Sequence, residues 1–148
     1  MPERGYLSWF EIIRLGLVQS ALGAIVVLTT STLNRVMVVE LALPAMLPGA
    51  LVALHYVVQL SRPRWGHGSD MGGARTPWII GGMAVLAAGG VLAAIATALA
   101  AANTWAGVAL AVLAFLLIGG GVGASGTSLL ALLATDVAPQ RRAPAASI

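Results

Sequence analysis

Cysteine is absent from this 148-residue chain, and so is lysine. Without cysteine there are no disulfides, thiolate metal sites or sulfur nucleophiles. Histidine occurs twice and acidic residues five times. That is too little for a metal-dependent hydrolase, and no metal site is expected. Charged residues make up 9% of the chain, against about 25% in an ordinary soluble domain. So few charges cannot dress a water-facing surface. All eight positive charges are arginines and the net charge is only +3. They are scattered between apolar runs rather than gathered on one face, which excludes nucleic-acid binding. No His–acid pair stands where it would activate a serine or threonine, so no enzyme activity is expected.

What is abundant is apolar sequence, 59% of the residues. Residues 15–34, 41–61 and 76–135 carry no charge at all. A bilayer core needs about 20 apolar residues per helix, and the last run is long enough for two. The pattern predicts an all-α membrane protein with four transmembrane helices, at about 12–36, 41–61, 78–101 and 105–133. The first run is too long for a signal-peptide core and three more follow, so it is read as a retained helix. Arg4, Arg14, Arg62, Arg64, Arg75, Arg141 and Arg142 fall on one side of this topology and Arg35 on the other. Both chain ends and the loops 62–77 and 134–144 are therefore expected in the cytoplasm, with the lipid bilayer as the surrounding partner. After Pro139 no polar tail closes the chain, which reads as a fragment of a longer membrane protein.

At 100° per residue, Glu40, Pro44, Pro48, His55, Gln59 and Arg62 fall within an arc of about 100° on the second span. Such a stripe faces protein or a water-filled cavity. Gly16, Gln19, Gly23, Thr30 and Asn34 share an arc of the first span, and Gly121, Ser125, Ser128 and Asp136 one of the fourth. The third span offers only Thr97 and a small-residue face of Gly82, Gly89 and Ala93, suited to close packing at the periphery. Each stripe can equally be helix–helix glue. A neutral His55 can coordinate a metal, or the magnesium of a chlorin, through one ring nitrogen. It can as easily hydrogen-bond a neighbouring helix. Arg35 and Glu40 lie near the outer interface, placed to pair across a tight turn. Gly121, Gly123 and Gly126 spell G-x-G-x-x-G, but inside an apolar span rather than after a strand, so no dinucleotide site is expected.

The loop after the second span resembles the G-x-x-x-D-R-x-G-R-R loop of the major facilitator superfamily. Gly66, Asp70, Gly73 and Arg75 match; Met71 and Ala74 depart from it. Asp136, Pro139 and Arg142 follow the fourth span, where that superfamily often carries an acid, a proline and an arginine. There the two loops form a charge network that latches one conformation. The resemblance implies that Gly66, Asp70, Gly73, Arg75, Asp136 and Arg142 form such a latch, with Asp136 pairing to Arg75 or Arg142. Further stretches resemble its PucC branch: 14–19, 29–40, 54–56, 66–70 and 75–78, the most specific being 34–40 and 67–70. The chain would then be the first third of a twelve-span major-facilitator-type bundle, within one transmembrane domain.

The PucC resemblance implies a factor of a bacterial inner membrane, cytoplasmic or intracytoplasmic. Such a factor assists light-harvesting antenna assembly and delivers bacteriochlorophyll. It implies no resident cofactor, bacteriochlorophyll as cargo, and antenna polypeptides and the remaining helices of the full-length protein as partners. Asn34, Arg35, Glu40, His55 and Gln59 are the candidate pigment or substrate contacts. The alternative is a conventional proton-coupled carrier of a small solute on the same fold, for which His55 is the one mid-span ionisable group. A complete four-span exporter is disfavoured, because the first span carries no acid in its interior.

Overall fold

A computed structural model describes residues 6–72 and 74–147, and all the regular structure among them is helical. Helix α1 spans Trp9–Val27. Ser8 caps it: its hydroxyl accepts from the Glu11 amide at 3.3 Å, and the Glu11 carboxylate accepts from the Ser8 amide at 2.7 Å. This reciprocal box satisfies two amides that a helix start otherwise leaves unpaired. The helix then continues as two wide π-helical segments, Leu28–Leu33 and Val36–Glu40. Thr29 and Thr30 explain the widening. Their hydroxyls donate to the carbonyls of Ile25 and Val26 at 2.7–3.0 Å. They compete with the backbone amides that would close an α turn there. The stretch Trp9–Glu40 is apolar and long enough to cross a membrane.

The next segment differs from its expected bounds. The helix expected at 41–61 is α2, Met46–Gln59. Fourteen residues rise about 21 Å, short of the roughly 30 Å hydrocarbon core. The prolines set its start. Pro44 stays outside, and Pro48 takes the third helical position, where a missing N–H breaks no bond. Before Pro44 the chain turns through Ala42 at φ 51°, left-handed backbone that costs an alanine about 1–2 kcal/mol. Ala42→Gly is expected to stabilise the protein by about 1 kcal/mol, read as a higher midpoint in SDS unfolding.

The expected loop 62–77 is mostly helix as well. After Leu60 and Ser61 the chain enters α3, Arg62–Met71, with Pro63 in its first turn. Its glycines do not unwind it, because both are packed against neighbouring side chains, Gly66 against Thr127 and Gly68 against Trp78. A Cβ on Gly68 would lie 3.0 Å from the Trp78 indole. Helix α4, Thr76–Ala102, starts with Pro77 in its first turn, where its missing N–H costs no bond. Helix α5, Thr104–Asp136, follows after the single residue Asn103. Asn103 closes α4 through its amide to Leu99 at 2.8 Å and opens α5 by accepting from Ala106 at 3.1 Å. Both α4 and α5 are long and apolar enough to span a bilayer, so the chain is a multi-pass membrane protein with three such helices among the described residues. A short 3₁₀ turn, Pro139–Arg141, leads into α6, Arg142–Ala146.

Helices α4 and α5 form a close antiparallel pair along a seam of small residues. Cβ atoms on Gly82, Gly89 and Gly107 would meet Ser125, Ile118 and Ala100 at 2.9 Å or less. The small face of Gly82, Gly89 and Ala93 is thus the packing face that the sequence indicates. Helix α5 is the centre of the molecule, touched by α1, α2, α3, α4 and α6. Phe115, Ile118, Leu86 and Leu22 lie in the main core, with Met37 and Leu51 closing it from the first helix and α2. A smaller cluster of Ile12, Val137 and Ala145 fastens α6 beneath α1. There the Leu7 amide bonds the Asp136 carbonyl at 2.9 Å. The starts of α1 and α4 and the end of α5 therefore meet at one end of the bundle.

Candidate functional site

That end holds a charge cluster built on Arg75, the half-buried residue before α4. Its guanidinium binds Asp70 of α3 at 2.8 and 3.3 Å. It also donates to the Thr135 hydroxyl at 2.5 Å and the Ala131 carbonyl at 3.3 Å on α5. One side chain thus ties three helices. The Asp70 side chain is 57% exposed, so the ion pair alone contributes little. Its weight lies in the fan of bonds that fixes α3 against α5.

Of the expected latch residues, Asp70 and Arg75 come together directly. Asp136 joins through an intermediary: the Thr135 hydroxyl lies 2.7 Å from its carboxylate. Thr135 has one hydrogen and also sits 3.0 Å from the Ala131 carbonyl, so only one of the two acceptors is served at a time. Arg142 turns elsewhere, donating to the Val137 carbonyl at 3.1 Å, and closes the turn after α5. Gly66 faces α5, where a Cβ would meet the Thr127 methyl at 3.3 Å. Gly73 lies outside the described residues.

A second polar chain runs along α2. Arg62 donates to Gln59 Oε1. Gln59 Nε2 lies 2.6 Å from His55 Nε2. The His55 ring is fully buried, and its Nδ1 has no hydrogen-bond partner among the described residues. Arg62 fixes the proton positions. A guanidinium only donates, so Gln59 must present its oxygen to Arg62 and its NH₂ to His55. His55 Nε2 then accepts, and the neutral ring carries its proton on Nδ1. The arrangement offers a buried N–H donor. In this tautomer Nδ1 is a hydrogen-bond donor rather than a bare lone pair for magnesium.

The other candidate contacts stand apart. Asn34 is half-buried; Arg35 and Glu40 are exposed. Arg35 and Glu40 do not pair across a turn, because both lie on the helical continuation of α1, and the ion pair found among the described residues is Arg75–Asp70. No hydrogen bond among the described residues joins Asn34, Arg35 or Glu40 to His55 or Gln59. On the first-span stripe Gly16 is buried, while Gln19 is exposed. On α5, Gly121, Ser125 and Ser128 are buried as a face, Ser125 bonding the Gly121 carbonyl at 2.6 Å and Ser128 without a partner among the described residues.

Two participants escape sequence reasoning. Thr135 looks like the polar end of an apolar helix, and its place beside Asp136 is the one signal it gives. Trp65 lies in an expected loop, yet its indole covers the bare Cα of Gly123 on α5.

Known proteins similar to the chain carry the same resemblance. It is 63% identical over 142 residues to the bacteriochlorophyll synthase 44.5 kDa chain of Rhodobacter capsulatus, covering 96% of this chain and 33% of that one. It is 38% identical to protein PucC of Cereibacter sphaeroides, over 90% of this chain and 32% of the relative. It is 35% identical to protein PucC of Rhodovulum sulfidophilum, with the same coverage. The chain thus spans about one third of the length of these curated relatives. No solved structure matches it. The family model described as PUCC protein matches residues 32–148, most of the chain, and the chain belongs to the PUCC family.

Proposed function

We propose that the chain is part of an integral membrane factor that assists light-harvesting antenna assembly and delivers bacteriochlorophyll. The buried, unpartnered Nδ1–H of His55 carries this reading. A buried donor without an acceptor costs about 1–3 kcal/mol, and a cargo carbonyl would satisfy it. The bacteriochlorophyll in the name of the 63%-identical relative supports the choice of cargo. That name also contains the word synthase; this chain is read as a factor rather than an enzyme, since its ionisable groups form helix ties and not a nucleophile–base pair.

The proposed architecture is a major-facilitator-type bundle of which this chain supplies four spans. The second of these is α2, completed by its flanking segments. The one-sided arginines support cytoplasmic ends in a bacterial inner membrane. His55 is reached when α2 parts from α5, a motion that the Asp70–Arg75–Thr135 tie would restrain. Asn34, Arg35, Glu40 and Gln59 are proposed as outlying cargo contacts.

The test is a near-infrared spectrum of the chain purified in mild detergent from a pigment-making host. Bacteriochlorophyll bands should copurify with the parent and fall about tenfold in His55→Leu, which removes the donor. Bands equal in both would move the contact away from His55. Absence of bands from the parent would sink pigment delivery and favour a pigment-free chaperone or a solute carrier.

A further inference from the structure

Between α1 and α4 a cleft opens at the arginine-rich end. The cleft, about 340 Å³, is lined at its mouth by Glu11, Arg14 and Thr76 and deeper by Leu15, Val18 and Ile79. A second cleft of about 400 Å³ shares Val18, Ile79 and Ile80 with the first and runs on to Ala21 and Met83. The two form one channel that is polar at one end only. From Glu11 to Ala21 it runs about 15 Å along α1. That is half of the roughly 30 Å hydrocarbon core, the depth of one leaflet.

From this geometry we infer that the channel seats a phospholipid, with one acyl chain between α1 and α4 and its phosphodiester at Arg14 and Thr76. The charges at the mouth suit a phosphodiester. No carboxylate among the described residues lies within 4.0 Å of the Arg14 guanidinium, which sits 5.9 Å from the Phe10 ring centroid. Glu11 shares the mouth, and its carboxylate is engaged by the Ser8 amide and hydroxyl at 2.7 and 2.8 Å. Thr76 opens α4, so its hydroxyl stands beside amides that have no partner within the helix. Clefts of this volume accommodate an acyl chain, whose polar end then meets Arg14. The inference is independent of the pigment reading and needs only that α1 and α4 cross the bilayer.

Native mass spectrometry of the chain in mild detergent tests it. The probes are palmitoyl-oleoyl-phosphatidylglycerol and the diacylglycerol with the same acyl chains. One phosphatidylglycerol adduct per chain should survive activation that strips the diacylglycerol. Arg14→Gln should lower the bound fraction about tenfold, the loss of one charge-assisted contact, while Arg14→Lys keeps most of it. Arg14 is exposed, so both variants should retain the parent's circular dichroism. Ile80→Trp should fill the channel and remove the adduct. Equal retention by parent and Arg14→Gln, or equal retention of the two lipids, overturns the phosphate seat. An adduct that survives Ile80→Trp in a folded chain overturns the channel.

Discussion

Gly121→Ala is expected to destabilise the bundle by about 2–3 kcal/mol, while Gly120→Ala next to it stays within about 0.5 kcal/mol of the parent. The added carbon is the same; its surroundings differ. A Cβ on Gly121 would stand 2.5 Å from the Leu86 amide nitrogen and 2.7 Å from the Gly82 carbonyl, both backbone atoms of α4. Backbone cannot swing aside as a rotamer does, so α4 and α5 must separate. Separation loosens contacts along the whole seam, since packing falls steeply with distance. A Cβ on Gly120 meets nothing within 4 Å. The same pairing repeats on α4, where Gly82 faces Ser125 at 2.6 Å and Gly81 faces open space. SDS unfolding followed by tryptophan fluorescence separates the four variants, with Gly82→Ala tracking Gly121→Ala. Equal midpoints for Gly120→Ala and Gly121→Ala would falsify the close seam.

This seam is legible in the sequence because small residues on one helical arc have few other uses in an apolar span. The long helices are legible for a similar reason: uncharged runs in a bilayer have little choice but to be helical. The bounds of α2 are less so. Apolar periodicity continues through residues 41–45, but Pro44 and the left-handed turn at Ala42 hold the helix back to Met46. The helical character of 62–71 is hidden by composition. Two glycines, a proline and several charges read as a turn, and only the tertiary placement of Trp65 and Trp78 over glycines makes a helix worthwhile there.

The charge cluster shows the same division. Asp70 and Arg75 can be singled out by type and spacing, and they pair. Whether Asp136 pairs with Arg75 or Arg142 depends on where the last turn of α5 points the Thr135 hydroxyl. No spacing rule encodes that, and the structure inserts Thr135 between the two charges. Likewise the burial of His55 follows from its polar stripe, but its tautomer does not. That is set by Arg62 acting through Gln59.

Trp65 and Gly123 should behave as one unit. Trp65→Ala alone removes an indole from the surface of α5 and is expected to cost about 3 kcal/mol. Gly123→Ala alone leaves the indole but denies it the bare Cα. The new carbon would overlap ring atoms and stand 2.9 Å even from Cη2. Tilting the ring away should cost about 2 kcal/mol. With the indole gone, the same alanine meets no ring, so Trp65→Ala/Gly123→Ala should be no less stable than Trp65→Ala alone. The cycle then shows a coupling of about 2 kcal/mol, within the range for residues in direct contact. SDS unfolding read by far-ultraviolet circular dichroism is suitable, since the signal survives loss of the tryptophan. Additive costs in the double variant would mean that Trp65 does not sit on Gly123. The consequence reaches the charge cluster, because α3 carries both Trp65 and Asp70. If the indole is what seats α3 on α5, freeing it removes the platform that keeps Asp70 beside Arg75, and the guanidinium retains only its bonds to Ala131 and Thr135. The aromatic contact and the ion pair are in this sense one attachment, with the packing supplying the energy and the charges the register.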